Sequence, residues 1–219
     1  MSASGPAPDE TSPARLNTSG PLDTRRYGWA VGALAAALAI GFLLYTLTSH
    51  SSSGTAGVPA GGRLHVFAAP LAASTLNGDA NLNPPCTVAR HDPRALNVCL
   101  LVKRGPLVLA FFVTDSSQCE REVDTMQTLA ARPALRRVQF AAVAVGGSHI
   151  ATAKAVRAHR WTIPVAFDAD GAVGGAYGVT ACPLLELAER GGTVAARLIG
   201  EHWLNAAALE TRVRALPGQ

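Results

Sequence analysis

One cysteine stands at the end of the segment FFVTDSSQC, which covers residues 111–119. The residues that follow, EREVDTMQTLA, have the apolar spacing of a helix, so Cys119 is predicted to lie in a first helical turn that begins with a capping box of Ser117 and Glu120. Unpaired N–H groups and the helix dipole stabilise a thiolate there, whereas burial and the negative charges of Glu120 and Glu122 disfavour it. Redox chemistry is one interpretation of Cys119, and a small buried apolar residue is the other.

Two further cysteines, Cys86 and Cys99, bracket the residues TVARHDPRALNV. A disulfide between them would close a loop of about a dozen residues and stabilise the fold by on the order of 3 kcal/mol. We predict this structural disulfide, with two free thiols as the alternative. A metal site that also used His91 would lack a fourth ligand, so neither a metal nor a cofactor is predicted.

The elements that must position Cys119 alternate between apolar runs and helical stretches. Predicted strands cover residues 107–113, 138–145, 165–167, 184–188 and 193–199, and predicted helices cover residues 119–131, 148–159, 172–177 and 205–216. The order is β-α-β-α-β, then a hairpin, then a helix. Such an order predicts an α/β domain with a central mixed sheet and helices on both faces.

This order and two motifs resemble the thioredoxin superfamily, in particular the membrane-tethered TlpA/ResA-like proteins of the redoxin or AhpC/TSA type. In that family a buried strand leads into W-C-x-x-C at a helix start. Here Asp115 takes the Trp position, Ser116 the first Cys position and Cys119 the second. Farther on, YGVTACPLLELAERGGTVAARLIG is similar to the family's YGV-x-x-x-P segment and places Pro183 at its cis-proline. The resemblance covers roughly residues 63–217 and implies a thioredoxin-like fold.

The resemblance implies thiol–disulfide exchange through Cys119, with a protein thiol or disulfide as substrate or redox partner. In the family, the residue before the cis-proline lies against the start of the active-site helix, so Cys182 is the implied partner of Cys119. That pairing requires the two Cα atoms to lie within about 7 Å of each other. Pro183 and Asp115 are the implied substrate-binding residues, since a cis-proline donates no N–H and leaves neighbouring backbone groups free to pair with an extended peptide.

Two other functions are open from the sequence. The missing first cysteine and the missing tryptophan favour a thioredoxin-like binding or scaffold module without catalysis. Ser116-x-x-Cys119 is also similar to the T-x-x-C motif of peroxiredoxins, in which the hydroxyl helps to position a peroxide. That family needs an arginine in a strand near the site, and the chain has none between Arg160 and Arg190. Otherwise Ser116 is a helix cap.

The N-terminal part contains an uncharged segment of 20 residues, Gly28 to Leu47, which is long enough to cross about 30 Å of hydrocarbon as a helix. Trp29 and Tyr45 suit the membrane interfaces, and Arg25 and Arg26 precede the segment. We predict a single transmembrane helix in the lipid bilayer of the cell membrane, with the N-terminus in the cytoplasm and the C-terminal domain outside. A cleaved signal peptide is the alternative.

The predicted organisation is a disordered tail over residues 1–27, the membrane span over 28–47, a flexible linker over 48–62 and a thioredoxin-like domain over 63–219. The formal net charge of +4 comes from scattered arginines, without the basic blocks and interleaved aromatics of a nucleic-acid interface. No nucleic-acid partner is therefore predicted.

Overall fold

The computed structural model describes residues 24–49, 57–82 and 91–218, and within the first range it describes the side chains of residues 28–42 only. The chain divides into two compact units, Met1–Ser51 and Ser52–Gln219. The first unit holds helix α1 (Thr24–Ser49), whose described side chains are all exposed. In the described part of the chain, no helix is both long and apolar enough to cross a membrane.

The second unit alternates strands and helices along the chain. Its elements are β1 (Ala68–Pro70), β2 (Ala95–Asn97), α2 (Val98–Arg104), β3 (Leu107–Phe112), α3 (Ser117–Ala130), β4 (Gln139–Val145), α4 (His149–His159), β5 (Val165–Asp168), α5 (Ala172–Ala176), β6 (Leu184–Ala188), β7 (Val194–Ile199) and α6 (Ala206–Arg214). Short 3-10 helices at Pro133–Leu135 and Glu201–Leu204 precede β4 and α6.

Five strands form one mixed sheet in the order β5-β4-β3-β6-β7. β3 pairs parallel with β4 and antiparallel with β6, and β6 and β7 form an antiparallel hairpin. β3 suits the centre because all six of its residues, LVLAFF, are apolar and buried. The carboxyl end of β3 therefore lies beside the start of β6, with Phe111 opposite Leu184.

Apolar cores cover both faces of this sheet, because successive residues of a strand point to opposite faces. Val108, Ala110 and Phe112 of β3 pack in the core beneath α3 and α6, which also contains Cys119. The residues between them pack in a second core that includes the buried Tyr177. The helix that carries Cys119 is thus seated on the central strand.

The predicted α/β, thioredoxin-like architecture with a mixed central sheet is confirmed, and each predicted strand and helix lies within a few residues of an observed one. Helix α3 begins at Ser117, which places Cys119 in its first turn as expected. The sequence pattern did not predict the two-stranded β1–β2 sheet or α2, because three-residue strands are too short to show a hydrophobic period.

The end of the predicted linker is ordered against the hairpin. Val58 is buried, and Gly61 donates its N–H to the Val194 carbonyl at 2.8 Å. Gly62 accepts the Val194 N–H in return, also at 2.8 Å. Residues 57–62 therefore extend the packing of β7, whereas much of the remaining linker and most of the predicted tail lie outside the described residues.

Candidate active site

Cys119 and Cys182 form a disulfide. Their Cα atoms are 5.4 Å apart, within the separation of about 7 Å that a disulfide requires, although 63 residues separate them along the chain. Cys119 is only 3% exposed, whereas Cys182 is half-buried. Folding therefore brings together two sulfurs that belong to separate segments, as the resemblance implied.

The turn between β3 and α3 positions Cys119. Asp115 adopts a left-handed φ of 62°, and its N–H donates to Glu120 Oε1 at 3.1 Å. Ser116 is the N-cap residue, but its hydroxyl accepts no capping hydrogen bond. The predicted capping box of Ser117 and Glu120 is therefore wrong, because Glu120 reaches past the cap to Asp115. The first turn of α3, which contains Cys119, therefore receives no capping hydrogen bond from the Ser116 side chain.

The loop before β6 positions Cys182. The peptide bond between Cys182 and Pro183 is cis, as the resemblance implied. Pro183 is buried, and its carbonyl accepts the N–H of Gly200 at 3.0 Å. Thr180 and Ala181, immediately upstream, are exposed. Cys182 thus lies at the boundary between an exposed loop and the sheet.

One acid lies on the buried face of α3, one turn after Cys119. Glu122 is 1% exposed, and neither carboxyl oxygen has a hydrogen-bond partner among the described residues. Burial raises the pKa of Glu122 well above its ordinary value, and the nearby backbone of Leu184 offsets this only in part because it does not reach hydrogen-bond geometry. The desolvated carboxyl therefore favours its protonated form.

From the sequence, Glu122 is expected only to add negative charge near Cys119. The spacing of Cys119, Glu122, Val123 and Met126 nevertheless places the acid within the apolar stripe of α3, because residues three and four apart share a helix face. All four residues are buried. The position of an acid within an apolar stripe could therefore have indicated, from the sequence, that Glu122 is buried.

A polar network ties the end of α4 to the start of α3. His159 contacts Glu120 (Nε2 to Oε2, 3.4 Å) and Asp124 (Nδ1 to Oδ1, 2.9 Å). Trp161 donates its indole N–H to the same Asp124 oxygen at 2.7 Å and stacks on the ring of His159. Because Glu120 also accepts the N–H of Asp115, the network fixes the turn that leads to Cys119.

A buried ion pair fixes the loop that leads to Cys182. Arg197 of β7 pairs with Glu186 of β6 and donates to the carbonyls of Tyr177 and Gly178 at 2.8 Å each. Burial raises the pKa of Glu186 to about 7, and the charge and hydrogen bond of Arg197 oppose that rise. The hairpin is thus attached to the residues just before the site.

The second predicted disulfide is described at one end only. Cys99 is buried in α2 and is disulfide-bonded. Cys86 lies outside the described residues, so its pairing with Cys99 stays a prediction. Within the described ranges, no group of three or more His, Cys, Asp or Glu residues could hold a metal ion.

The sequence matches the family model of the AhpC/TSA family over residues 87–197, slightly more than half of the chain. The matched region includes Cys119 and Cys182. The chain belongs to the AhpC/TSA family. No curated protein matches the sequence.

Solved structures of thioredoxin-like proteins share the fold. A protein assigned as the thiol:disulfide interchange protein DsbE of Chlorobium tepidum is 20% identical, with a TM-score of 0.57 over 72% of this chain and 97% of that chain. Peroxidoxin BcpB of Mycobacterium tuberculosis is 18% identical, with a TM-score of 0.57 over 74% and 99%. The thioredoxin domain of a thiol-disulfide oxidoreductase of Bacteroides vulgatus is 12% identical, with a TM-score of 0.53 over 71% and 99%.

Proposed function

We propose that this protein is a thiol–disulfide oxidoreductase that cycles Cys119 and Cys182 between a disulfide and two thiols, with a protein thiol or disulfide as its partner. The observation that carries the proposal is the disulfide between the first turn of α3 and the residue before Pro183. Membership of the AhpC/TSA family supports thiol chemistry at this position. The second sulfur replaces the neighbour that Cys119 lacks at Ser116.

The geometry supplies what an exchange reaction needs. A thiolate attacks a disulfide sulfur, a mixed disulfide forms, and a second thiol releases the product. The uncapped N–H groups at the start of α3 stabilise a Cys119 thiolate. A single cysteine could form only long-lived mixed disulfides, so both sulfurs are needed to release the product.

Reduction of insulin disulfides by dithiothreitol, followed by turbidity with the full-length chain, tests this activity. We expect the wild-type chain to accelerate the reaction, and Cys119→Ser and Cys182→Ser to lose the acceleration. The matched control is the double variant Cys86→Ser/Cys99→Ser, which keeps the proposed redox pair and should stay active. A wild-type rate at the background level would contradict catalysis and favour a non-catalytic thioredoxin-like binding module.

A peroxidase is the second candidate, favoured by family membership and by the Ser116 hydroxyl, which makes no capping hydrogen bond to α3. A Cys119 thiolate would reduce hydrogen peroxide, giving a sulfenic acid and hydroxide, and the Cys182 thiol would then form the disulfide with release of water. Consumption of peroxide by the pre-reduced chain measures this activity. Rapid consumption that is lost in Cys119→Ser and slowed in Ser116→Ala would favour the peroxidase.

We also propose that residues 28–47 anchor the protein in the cell membrane, with the C-terminal domain outside the cytoplasm. The uncharged sequence of this segment and the preceding Arg25 and Arg26 support the orientation. An oxidising compartment suits a chain in which no described cysteine is free. The full-length chain should stay in carbonate-washed membranes, and its C-terminal domain should be accessible to protease in spheroplasts. Recovery of the full-length chain in the soluble fraction would contradict the anchor.

A further inference from the structure

The two sulfurs of the proposed redox pair lie in unequal surroundings. Cys119 is 3% exposed and packs in the apolar core with Phe112 and Val123. Cys182, by contrast, is half-buried and packs against the outside of that core. The residue before it, Ala181, is exposed. We infer that Cys182, and not Cys119, is the sulfur that an incoming thiolate attacks. The inference rests on the proposed oxidoreductase function and assigns the order of its steps.

Attack at Cys182 makes Cys119 the leaving sulfur, at a helix N-terminus whose dipole offsets part of the cost of burying a thiolate. When the disulfide opens, the electron pair goes to the sulfur of Cys119, which belongs to the third residue of a 14-residue helix. The Ser116 side chain makes no cap, so the first N–H groups of α3 are not taken by it.

Attack at Cys119 is disfavoured both by access to the attacked sulfur and by stabilisation of the leaving sulfur. Attack at Cys119 requires a thiolate to enter a core in which that residue is almost fully buried, and a charged nucleophile loses its hydration there. The leaving Cys182 thiolate would lie in a loop with no described helix N-terminus of its own. Exposure and leaving-group stabilisation therefore favour the same order.

The surface near Cys182 also suits a protein partner. Val113, at the end of β3, is 48% exposed, and Ile199, at the end of β7, is 54% exposed. Ile199 pairs with Leu184, two residues after Cys182, and Phe111 of β3 also pairs with Leu184, so Val113, Ile199 and Cys182 lie at the same end of the sheet. A segment that carries a thiol can contact them as it approaches the half-buried Cys182.

Electrons and bonds balance in both directions. In reduction of the protein, one thiolate of a dithiol donor attacks Cys182 and forms a mixed disulfide, and Cys119 leaves as a thiolate and takes a proton. The second donor thiolate then attacks the donor sulfur, which oxidises the donor and releases Cys182 as a thiolate. In oxidation of a dithiol substrate the same two steps occur, with the substrate as the donor. In reduction of a substrate disulfide, the Cys182 thiolate attacks one substrate sulfur, forms a mixed disulfide and releases the other substrate sulfur as a thiolate. The Cys119 thiol then loses its proton and attacks Cys182, which expels the second substrate thiolate and restores the Cys119–Cys182 disulfide.

Reactivity of the single thiols tests this order. In the full-length chain, Cys119→Ser leaves Cys182 as the free member of the pair, and Cys182→Ser leaves Cys119. The rate of reaction with Ellman's reagent at neutral pH should be at least ~10-fold higher for Cys119→Ser, because reactivity requires access as well as a thiolate. Both variants should react at similar rates in guanidinium chloride, which shows that folding causes the difference.

The wild-type chain provides a second measurement that does not depend on a variant that folds. Oxidised chain is mixed with a small excess of reduced glutathione and quenched in acid, and the modified peptide is identified by mass spectrometry. An adduct on Cys182 is the expected result. An adduct on Cys119, equal variant rates in the folded state, no reaction at Cys182, or a faster Cys182→Ser variant would each overturn the inference. These outcomes are separate from the insulin assay, since a chain inactive on insulin can still show Cys182 as the reactive thiol.

Discussion

Glu122 brings a carboxyl into the apolar stripe of α3, where neither oxygen finds a partner among the described residues. Desolvation holds the pKa of this group far above the ordinary value of 4.5, so the native state keeps its proton. The unfolded chain releases that proton above pH 4.5. Native stability contributed by this residue is therefore present at acidic pH and is lost as the pH rises toward the folded-state pKa.

Glu122→Gln removes this pH dependence. At about pH 4 we expect the variant to unfold at nearly the same temperature as the wild type. At about pH 8 we expect it to unfold at a higher temperature than the wild type, because glutamine has no proton to lose. Thermal unfolding of both chains across this range measures the difference. The control is Glu189→Gln, a partly exposed acid after β6 whose carboxylate stays in contact with water. A Glu122→Gln difference that does not change with pH would contradict a buried protonated carboxyl.

Asp115 has the positive φ of 62° that starts the turn into α3. Asp115→Val should lower the unfolding free energy by about 1 to 2 kcal/mol, because a β-branched residue is strained in this conformation. Asp115→Gly should cost less, since glycine adopts the conformation freely. Both variants keep the backbone hydrogen bond to Glu120, so urea unfolding isolates the conformational effect. Equal costs would mean that the Asp115 side chain, and not φ, stabilises the turn.

At the level of elements, much of the site follows from local sequence and the rest does not. The apolar run of β3 and the stripe of α3 place Cys119 in a first helical turn without further information. The position of Cys182 beside it depends on the pairing of β3 with β6, which joins residues more than 70 positions apart. Periodicity does not encode such pairing, so only the resemblance implied it. The contact between Glu120 and His159 at the end of α4 is also non-local, so the local sequence does not predict it.

The β6–β7 hairpin holds the loop before Cys182 through Arg197. Arg197→Met should destabilise the fold by about 3 to 5 kcal/mol, because it leaves the Glu186 carboxyl without its buried partner. It also removes the donors to the carbonyls of Tyr177 and Gly178. The double variant Glu186→Leu/Arg197→Met should recover part of this loss, since apolar pairs often replace buried ion pairs at little cost. Urea unfolding of the four chains of this double-mutant cycle gives the coupling energy, and additive effects would contradict the pair.

For the whole second unit, the Cys119–Cys182 disulfide joins the first helix after β3 to the start of the hairpin. It closes a loop of 63 residues. In the chain-entropy model, such a loop is worth about 4 kcal/mol of unfolding free energy. The double variant Cys119→Ser/Cys182→Ser should lose roughly that amount in urea unfolding without added reductant, and Cys119→Ser alone should lose a similar amount. A loss below about 1 kcal/mol would show that the bond does not constrain the unfolded chain.

Because the disulfide closes this loop, reduction of the bond and unfolding of the chain are thermodynamically coupled. If the bond restrains the open chain, the folded chain must raise the effective concentration of one thiol at the other by an equal factor. A change as distant as the interior of the hairpin would then alter how easily a donor opens the bond. A thiol pair within a single helical turn has little such dependence, because its spacing is set locally. The reduction potential of the proposed redox pair should therefore depend on the stability of the sheet that holds Cys119 and Cys182 together.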